Sequence, residues 1–292
     1  MKRFLCLIGF VALVAGCDTI PREALNAYVS AFDEARAAGE LLTADFAAAQ
    51  AETTRREAAR RPAAPAALGF EIPIVYVPPA SDPPPPTATE VRLLAWQVIG
   101  QYNAVLAALS AGESVGKLRE ATGGLGTTIG RIAEATGSAV PGIGALVSAA
   151  QELAAILEKA RLSEEFAKAI AEGAPKVRSM LSVMIGDVSS HHQLRAALAN
   201  FDIATVDRNN ALDANTKKLQ RARIKDAFAE LKTTMDQFVI LARKCDAALA
   251  KIQAAPRTPI DFTAQANEIL TLSIALKGHW QAYQAARIEG AK

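Results

Sequence analysis

The chain has 292 residues, with 32 Lys and Arg against 30 Asp and Glu, a formal net charge of +2. That balance excludes the one-sided basic surplus that nucleic-acid binding requires. Three cysteines are too few for a disulfide-built scaffold, and 5 % aromatics beside abundant alanine suit slender, closely packed helices better than a thick globular core.

The N-terminus reads MKRFLCLIGFVALVAGCDT. Lys2 and Arg3 precede an apolar run, Phe4 to Val14, which is too short for a comfortable membrane span of about 20 residues. Ala15 and Gly16 are small, and Cys17 follows. This arrangement resembles a bacterial lipoprotein signal peptide with Val14-Ala15-Gly16-Cys17 as the lipobox. The resemblance covers the first 18 residues only. It implies cleavage of residues 1–16 and lipid attachment at Cys17, where two or more acyl chains anchor a protein stably. Asp18 resembles the sorting signal that keeps such proteins at the periplasmic face of the inner membrane; the outer membrane is the alternative. Cleavage removes Lys2 and Arg3 and leaves 30 basic against 30 acidic residues. Cys6 leaves with the signal, so Cys245 is the one free thiol and no intrachain disulfide can form.

Residues 17–61 predict one long helix. Leu25, Tyr28, Phe32, Ala35, Gly39, Leu42, Phe46 and Ala49 alternate steps of three and four, the spacing of a helix packed along its length. Pro21 suits the first turn. Residues 62–86 hold nine of the 14 prolines and predict an extended linker. Within it FEIPIVYV, Phe70 to Val77, is an apolar strip in which Pro73 argues against a central strand. Helix resumes at Thr87, with Glu90 completing a capping box. The remainder, 87–292, predicts a helical bundle with a glycine-rich cap at about 112–186.

Half of the 18 glycines fall between Gly112 and Gly144. Gly112 and Gly116, then Gly126 and Gly130, are four apart, a spacing that permits close approach of helix backbones. From Asp187 to Ala255 there is neither glycine nor proline. Ile224, Phe228, Leu231, Met235, Phe238, Ala242, Cys245, Leu249 and Ile252 form a second seam, on which Cys245 reads as a small buried hydrophobe. The polar stretch 207–215 predicts a break before it. A turn at AAPRTP precedes the last helix, capped by Thr258 with Pro259 in its first turn. Its seam is Phe262, Ala266, Ile269, Leu276, Trp280 and Tyr283, so the last two long elements should pair antiparallel.

The chemical motifs are incomplete. AGESVGKL, residues 111–118, matches a phosphate loop at Ala111, Gly116 and Lys117, but Leu118 replaces the hydroxyl that would hold magnesium. The same stretch contains Gly-x-Ser-x-Gly around Ser114. A nucleophile elbow needs a strand before that serine, and nothing aligns it with His191, His192 or His279. It reads instead as a C-cap glycine closing a helix that runs up to Gly112, Ser114 as a cap and the start of the next short helix, with Gly116 as a joint. Asp187 and His191 stand at i,i+4, a metal-ligand spacing, while Ser190 with Gln193 reads as a capping box. Two basic clusters remain: Arg55, Arg56, Arg60 and Arg61, and Lys217, Lys218, Arg221, Arg223 and Lys225. The second reads as the solvated face of a long helix, with lipid headgroups as the functional alternative.

The expected fold is therefore all-α, an elongated bundle of long amphipathic, coiled-coil-like helices with a smaller glycine-rich helical cap. The expected function is a lipid-anchored periplasmic scaffold or binding protein of the cell envelope, with a membrane contact through its lipid and a protein partner or a second copy of itself. No enzymatic activity, cofactor, metal or nucleic-acid partner is expected. The alternative is a membrane-inserting or pore-forming protein acting through residues 112–157, whose stretch from Ala135 to Gln151 carries no charge.

Overall fold

A computed structural model describes residues 22–60, 86–162, 172–254 and 263–290. Among these the chain is all-α, with no strand: α1 (Arg22–Arg60), α2 (Ala88–Ser110), α3 (Val115–Ala133), α4 (Ile143–Leu162), α5 (Ala174–Arg208), α6 (Ala214–Ala254) and α7 (Thr263–Gly290). Cys17, Asp18, the strip Phe70–Val77, the AAPRTP turn, Phe262 and the cap at Thr258 lie outside the described residues.

The first seam is buried throughout. Leu25, Tyr28, Phe32, Ala35, Leu42, Phe46 and Ala49 join the core, and Gly39 is buried among them. Gly39 has a specific reason to lack a side chain: a Cβ there would lie 2.3 Å from Cζ2 of Trp96 on α2. The indole thus lies directly against the α1 backbone, with Phe32 and Phe238 at ring separations of 6.3 and 5.9 Å. α2 begins as the sequence predicts, with Thr87 and Glu90 forming a reciprocal capping box.

The α2–α3 joint resolves the reading of AGESVGKL. Gly112 has φ +71°, the left-handed conformation that glycine adopts without a Cβ penalty. The Glu113 N–H donates to the carbonyl of Ala108 and the Gly112 N–H to that of Leu109, each at 3.1 Å, which is a Schellman closure. Ser114 then caps α3 by accepting from the Lys117 N–H. The joint is therefore Gly112 and not Gly116, which lies inside the first turn of α3, exposed, where a Cβ would meet the Ser114 hydroxyl oxygen at an ordinary 4.0 Å. The glycine pairs also do not mediate close helix approach. α3 turns Leu118, Leu125, Ile129 and Ile132 inward, while Gly130 is exposed and a Cβ on Gly126 or Gly130 would meet nothing within 4 Å. Leu146, Val147, Ala150 and Leu153 bring α4 into the same core.

α5 corrects a second reading. It runs unbroken from Ala174, with Pro175 in its first turn, so Ser190 lies mid-helix and caps nothing. The expected break follows at 209–213. Asp213 restarts the chain, its carboxylate accepting from the N–H groups of Asn215 and Thr216 at 2.8 and 3.0 Å. On α6, Leu231, Met235, Phe238, Ala242, Cys245 and Leu249 are buried, whereas Ile224 and Phe228 are half-buried.

Cross-helix pairs fix the directions. Lys244 meets Glu268 at 2.8 Å and His279 meets Glu230 at 3.4 Å, so α6 and α7 run antiparallel. Arg178 meets Asp246 at 2.7 Å, which sets α5 antiparallel to α6. Asp45 meets His191 and Arg56 meets Asp202, so α1 runs parallel to α5. Lys277 reaches Glu34 and Arg287 reaches Asp45, making α7 parallel to α1 as well. α1 is thus the helix around which α2, α5, α6 and α7 assemble.

Candidate functional site

The α1 surface that meets α5 and α7 carries an acid where an apolar residue would be expected. The Asp45 side chain is 2 % exposed. His191 Nε2 lies 2.9 Å from its Oδ2, Arg195 Nε donates to the same oxygen at 2.8 Å, and Arg195 Nη2 donates to Oδ1 and to the Asp45 carbonyl. Arg287 Nη1 stands 3.5 Å from Oδ1. Burial pushes the Asp45 carboxyl up, but the hydrogen bonds from His191 and Arg195, with their charges, outweigh it and hold it below the ordinary carboxylate range.

A second, part-buried pair stands beside it. Arg92 of α2 donates to both oxygens of Asp187 on α5, at 2.6 and 3.1 Å, and to the carbonyl of Pro141. Phe46 contacts both pairs, with the Arg92 guanidinium 5.0 Å and the His191 ring 5.1 Å from its ring. The metal spacing at Asp187 and His191 is thereby accounted for differently. The two side chains are committed to Arg92 and to Asp45 respectively.

Past Asp45, toward the C-terminal end of α1, the helices part around a cavity of about 640 Å³. Its floor is apolar: Leu198 and Val206 from α5, and Ile224, Phe228 and Leu231 from α6. Its wall carries Arg55 and Arg56 from α1, Arg195 from α5, Arg223 from α6 and Arg287 from α7, against Glu52 and Asp202. The sequence's two basic clusters therefore meet here, Arg55 and Arg56 of the first with Arg223 of the second. Arg56 Nη1 bonds Asp202 at 2.7 Å, tying α1 to α5 at the rim. Hydrogen bonding from Arg56, aided by the charges of Arg56 and Arg55, lowers the Glu52 carboxyl below its usual range against a small burial cost. Tyr283 lies at the inner edge: burial, then the Asp45 charge, raises its phenol, with Arg195 and Arg287 opposing. A second cavity, between Trp96, Arg92 and His191, measures only about 30 Å³, room for roughly one water.

The other sequence candidates are scattered. Ser114 follows a helix rather than a strand and serves as a cap. Lys117 is exposed and pairs with Glu113 at 3.1 Å. His192 lies tilted against Phe228, ring centroids 5.1 Å apart, and His279 faces Glu230. None is brought to Ser114 by a hydrogen bond. Lys217 donates to the carbonyl of Asp207 and Arg221 pairs with Asp207, so these two brace the α5–α6 turn. Cys245 is 1 % exposed, and burial pushes its thiol up to about 12. Among the described residues no group of three or more His, Cys, Asp or Glu is placed to hold a metal, and no helix is long and apolar enough to cross a membrane. Within 112–157 the large apolar side chains Leu125, Ile129, Ile132, Ile143, Leu146 and Leu153 are packed in the core.

Sequence reading missed Asp45, Arg195, Arg287 and Arg92 as site residues. A signal existed for two of them. Asp45 adjoins Phe46 on the apolar side of α1, and Arg92 adjoins Val91 on that of α2, positions where a charge is seldom left unpaired. No periodicity names the partner, because each partner lies on another helix. No protein family matches the chain, and neither does any curated protein or solved structure.

Proposed function

We propose that the chain is a lipid-anchored, non-catalytic binding protein of the bacterial envelope, which presents the arginine-walled cavity to a ligand or partner on the periplasmic side. The cavity carries the binding half of this reading. It is of ligand-binding size, has an apolar floor and gathers polar groups from four helices, the usual composition of a binding site. The tether rests on the lipobox-like Val14-Ala15-Gly16-Cys17, with Asp18 as the sorting residue. Arg22, where α1 begins, is five residues beyond Cys17, so a lipid there would hold the start of α1 within about 18 Å of the bilayer. The cavity wall at Glu52 lies roughly 45 Å further along α1 at 1.5 Å per residue. A long bundle fixed at one end holds its site away from the membrane that anchors it.

Two measurements test this. Wild-type protein should carry acyl mass on Cys17 and fractionate with membranes after high-salt and carbonate washes, while Cys17→Ser leaves precursor or soluble material. A photo-crosslinker at Arg55, on the rim, should capture a defined envelope component, and one at Lys232 should not. Wild-type protein without acyl mass rejects the tether. Rapid release of dye from liposomes by the intact protein would favour membrane insertion through 112–157.

A further inference from the structure

α7 turns Ala266, Ile269, Ser273, Leu276 and Tyr283 into the bundle and leaves its opposite face exposed. That outer face carries no charge. Asn267, Thr271, Ile274, Gly278, Gln281 and Ala285 follow one another at alternating steps of four and three, and all are exposed. From Thr263 to Ala285 the one exposed charge is Glu268, at the edge of the face, where it pairs with Lys244 at 2.8 Å. At the other edge the half-buried Lys277 reaches Glu34 of α1. α6 shows what a solvated face of this bundle looks like: of its seven exposed residues between Lys232 and Lys251, five are charged. An outward helix face normally carries such charges.

Two further features mark the middle of this face. Three of the four large apolar side chains exposed among the described residues gather there: Leu270, Ile274, which is 62 % exposed, and Ile240 of α6. Ile240 stands one turn before Lys244, on the side where Lys244 meets Glu268, so it widens the patch toward α6. Gly278 is the one glycine between Thr263 and Glu289. A Cβ on it would meet nothing within 4 Å, so no neighbour in the bundle calls for a glycine where it weakens the helix.

The residue types select a second copy of this chain. Where two identical helices pair in parallel about a two-fold axis, each residue of the stripe meets its own copy. A charge on the stripe would then face itself, and there is none. Asn267, Thr271 and Gln281 carry groups that both donate and accept hydrogen bonds, so each can bond its own copy. Ile274 meets Ile274, while Gly278 and Ala285 let the backbones come close. A different protein would not forbid charge on this face, since it could answer each charge with its opposite. The direction follows from the tether. α7 runs parallel to α1, so two chains held at Cys17 in one bilayer present their α7 helices in parallel.

We propose that the outer face of α7 is the interface of a parallel homodimer, centred on Ile274, which sets two copies of the cavity at one height above the membrane. The pairing stands without the tether; its direction rests on the anchored reading above. From Ala264 to Ala285 the stripe is about 32 Å long at 1.5 Å per residue. It is one helix wide, at the small end of stable interfaces, so a dissociation constant of about 10–100 µM is expected in solution, with confinement on a bilayer strengthening the pair.

The test uses two preparations: residues 17–292 with Cys17→Ser, which keeps every described helix, and membranes from cells making the full chain. Sedimentation equilibrium of the first, over concentrations that bracket the expected constant, should show a monomer–dimer equilibrium. Ile274→Lys should weaken it by at least about tenfold, because the charge meets its own copy. Gly278→Leu should weaken it too, although it adds apolar surface, because the backbones can no longer approach. Both positions are exposed, so melting temperatures should hold. Lys117→Gln, on α3, should leave the dimer unchanged. In the membranes, Ala264→Cys and Ala285→Cys, at the two ends of the stripe, should each link to its own kind on mild oxidation; the native Cys245 is buried and does not compete. A chain that stays monomeric overturns the proposal. So does a dimer that neither Ile274→Lys nor Gly278→Leu weakens. Linkage of Ala264→Cys only to Ala285→Cys, when the two variants are made together, marks an antiparallel pair and overturns it as well. A photo-crosslinker at Ile274 that attaches to residues 61–85 of its own chain, or to a different envelope protein, with no dimer formed, has the same consequence. Same-position crosslinks in a protein without acyl mass on Cys17 would sink the tether and leave the dimer standing. An acylated protein that crosslinks its partner at Arg55 but stays monomeric would sink this inference and leave the binding role standing.

Discussion

Asp45 shows how one buried residue sets both stability and site geometry. Removing a carboxylate and an arginine from water costs several kcal/mol per ion, and only close, multiple hydrogen bonds offset that. Asp45 has them from two residues of α5, with Arg287 of α7 alongside. Asp45→Asn would leave Arg195 buried without its counter-charge, so it should destabilise by about 3–5 kcal/mol at neutral pH. The pH dependence follows from the sign of the shift. The native carboxyl titrates below its unfolded value of about 3.9, so its stabilisation is present above that pH and fades as pH falls through the lower native value. Urea melts should therefore show the gap between wild type and Asp45→Asn closing below about pH 4. A gap that stays constant down to pH 2 would mean the carboxylate charge is not what stabilises the fold. Two glycines make a contrasting pair. Gly39→Ala drives a methyl into the Trp96 ring and should cost about 1–3 kcal/mol. Gly124→Ala, exposed within α3 with nothing within 4 Å, should gain about 0.5–1 kcal/mol. Gly116→Val should be close to neutral, because a Cβ there meets only the Ser114 hydroxyl oxygen, at 4.0 Å.

At the scale of the element, Phe238 and Lys232 sit on opposite sides of α6. Phe238 is 4 % exposed and meets Trp96 edge-on, whereas Lys232 is exposed and pairs with Asp236 on its own helix. Phe238→Ala should cost about 3–5 kcal/mol and Lys232→Ala under about 0.5 kcal/mol, so equal melting temperatures would reject the seam. Sequence periodicity found that seam, the α1 seam and the Thr87 cap because each is a local pattern, complete within one helix. It erred where the deciding partner was remote. Ser190 with Gln193 satisfied the capping-box pattern, yet Pro175 had already started the helix fifteen residues earlier. Gly126 and Gly130 had the spacing for close helix contact, but the bulkier Leu125 and Ile129 took the inward face. The cavity was legible only in pieces. Both basic clusters stood out, but their meeting depends on α1 running parallel to α5 and antiparallel to α6, which no single helix encodes.

At the scale of the molecule, the arrangement of α3 and α4 bears on how the whole chain unfolds. A glycine-rich subdomain that packed only on itself would melt separately from the long helices. The buried side chains argue otherwise: Leu125, Ile129 and Ile132 of α3, and Leu146 and Leu153 of α4, belong to one continuous cluster with Tyr28 and Phe32 of α1, Trp96 of α2 and Phe238 of α6. The Arg92–Asp187 pair and the Arg92 bond to the Pro141 carbonyl fasten α2, α5 and the entry to α4 at one point. Gly142 fits there with φ +81°, and a side chain would press on Asp187 and Val183, each 3.2 Å from the Cβ position. The whole bundle should thus unfold in one cooperative transition despite its length. Leu146→Ala in α4, fully buried, should cost about 2–5 kcal/mol and lower that shared transition by several degrees. Phe238→Ala, on the other side of the core, should lower the same transition rather than a different one. Calorimetry of both variants decides the matter: a split endotherm, with Leu146→Ala moving one component and Phe238→Ala the other, would show that α3 and α4 form a separate folding unit.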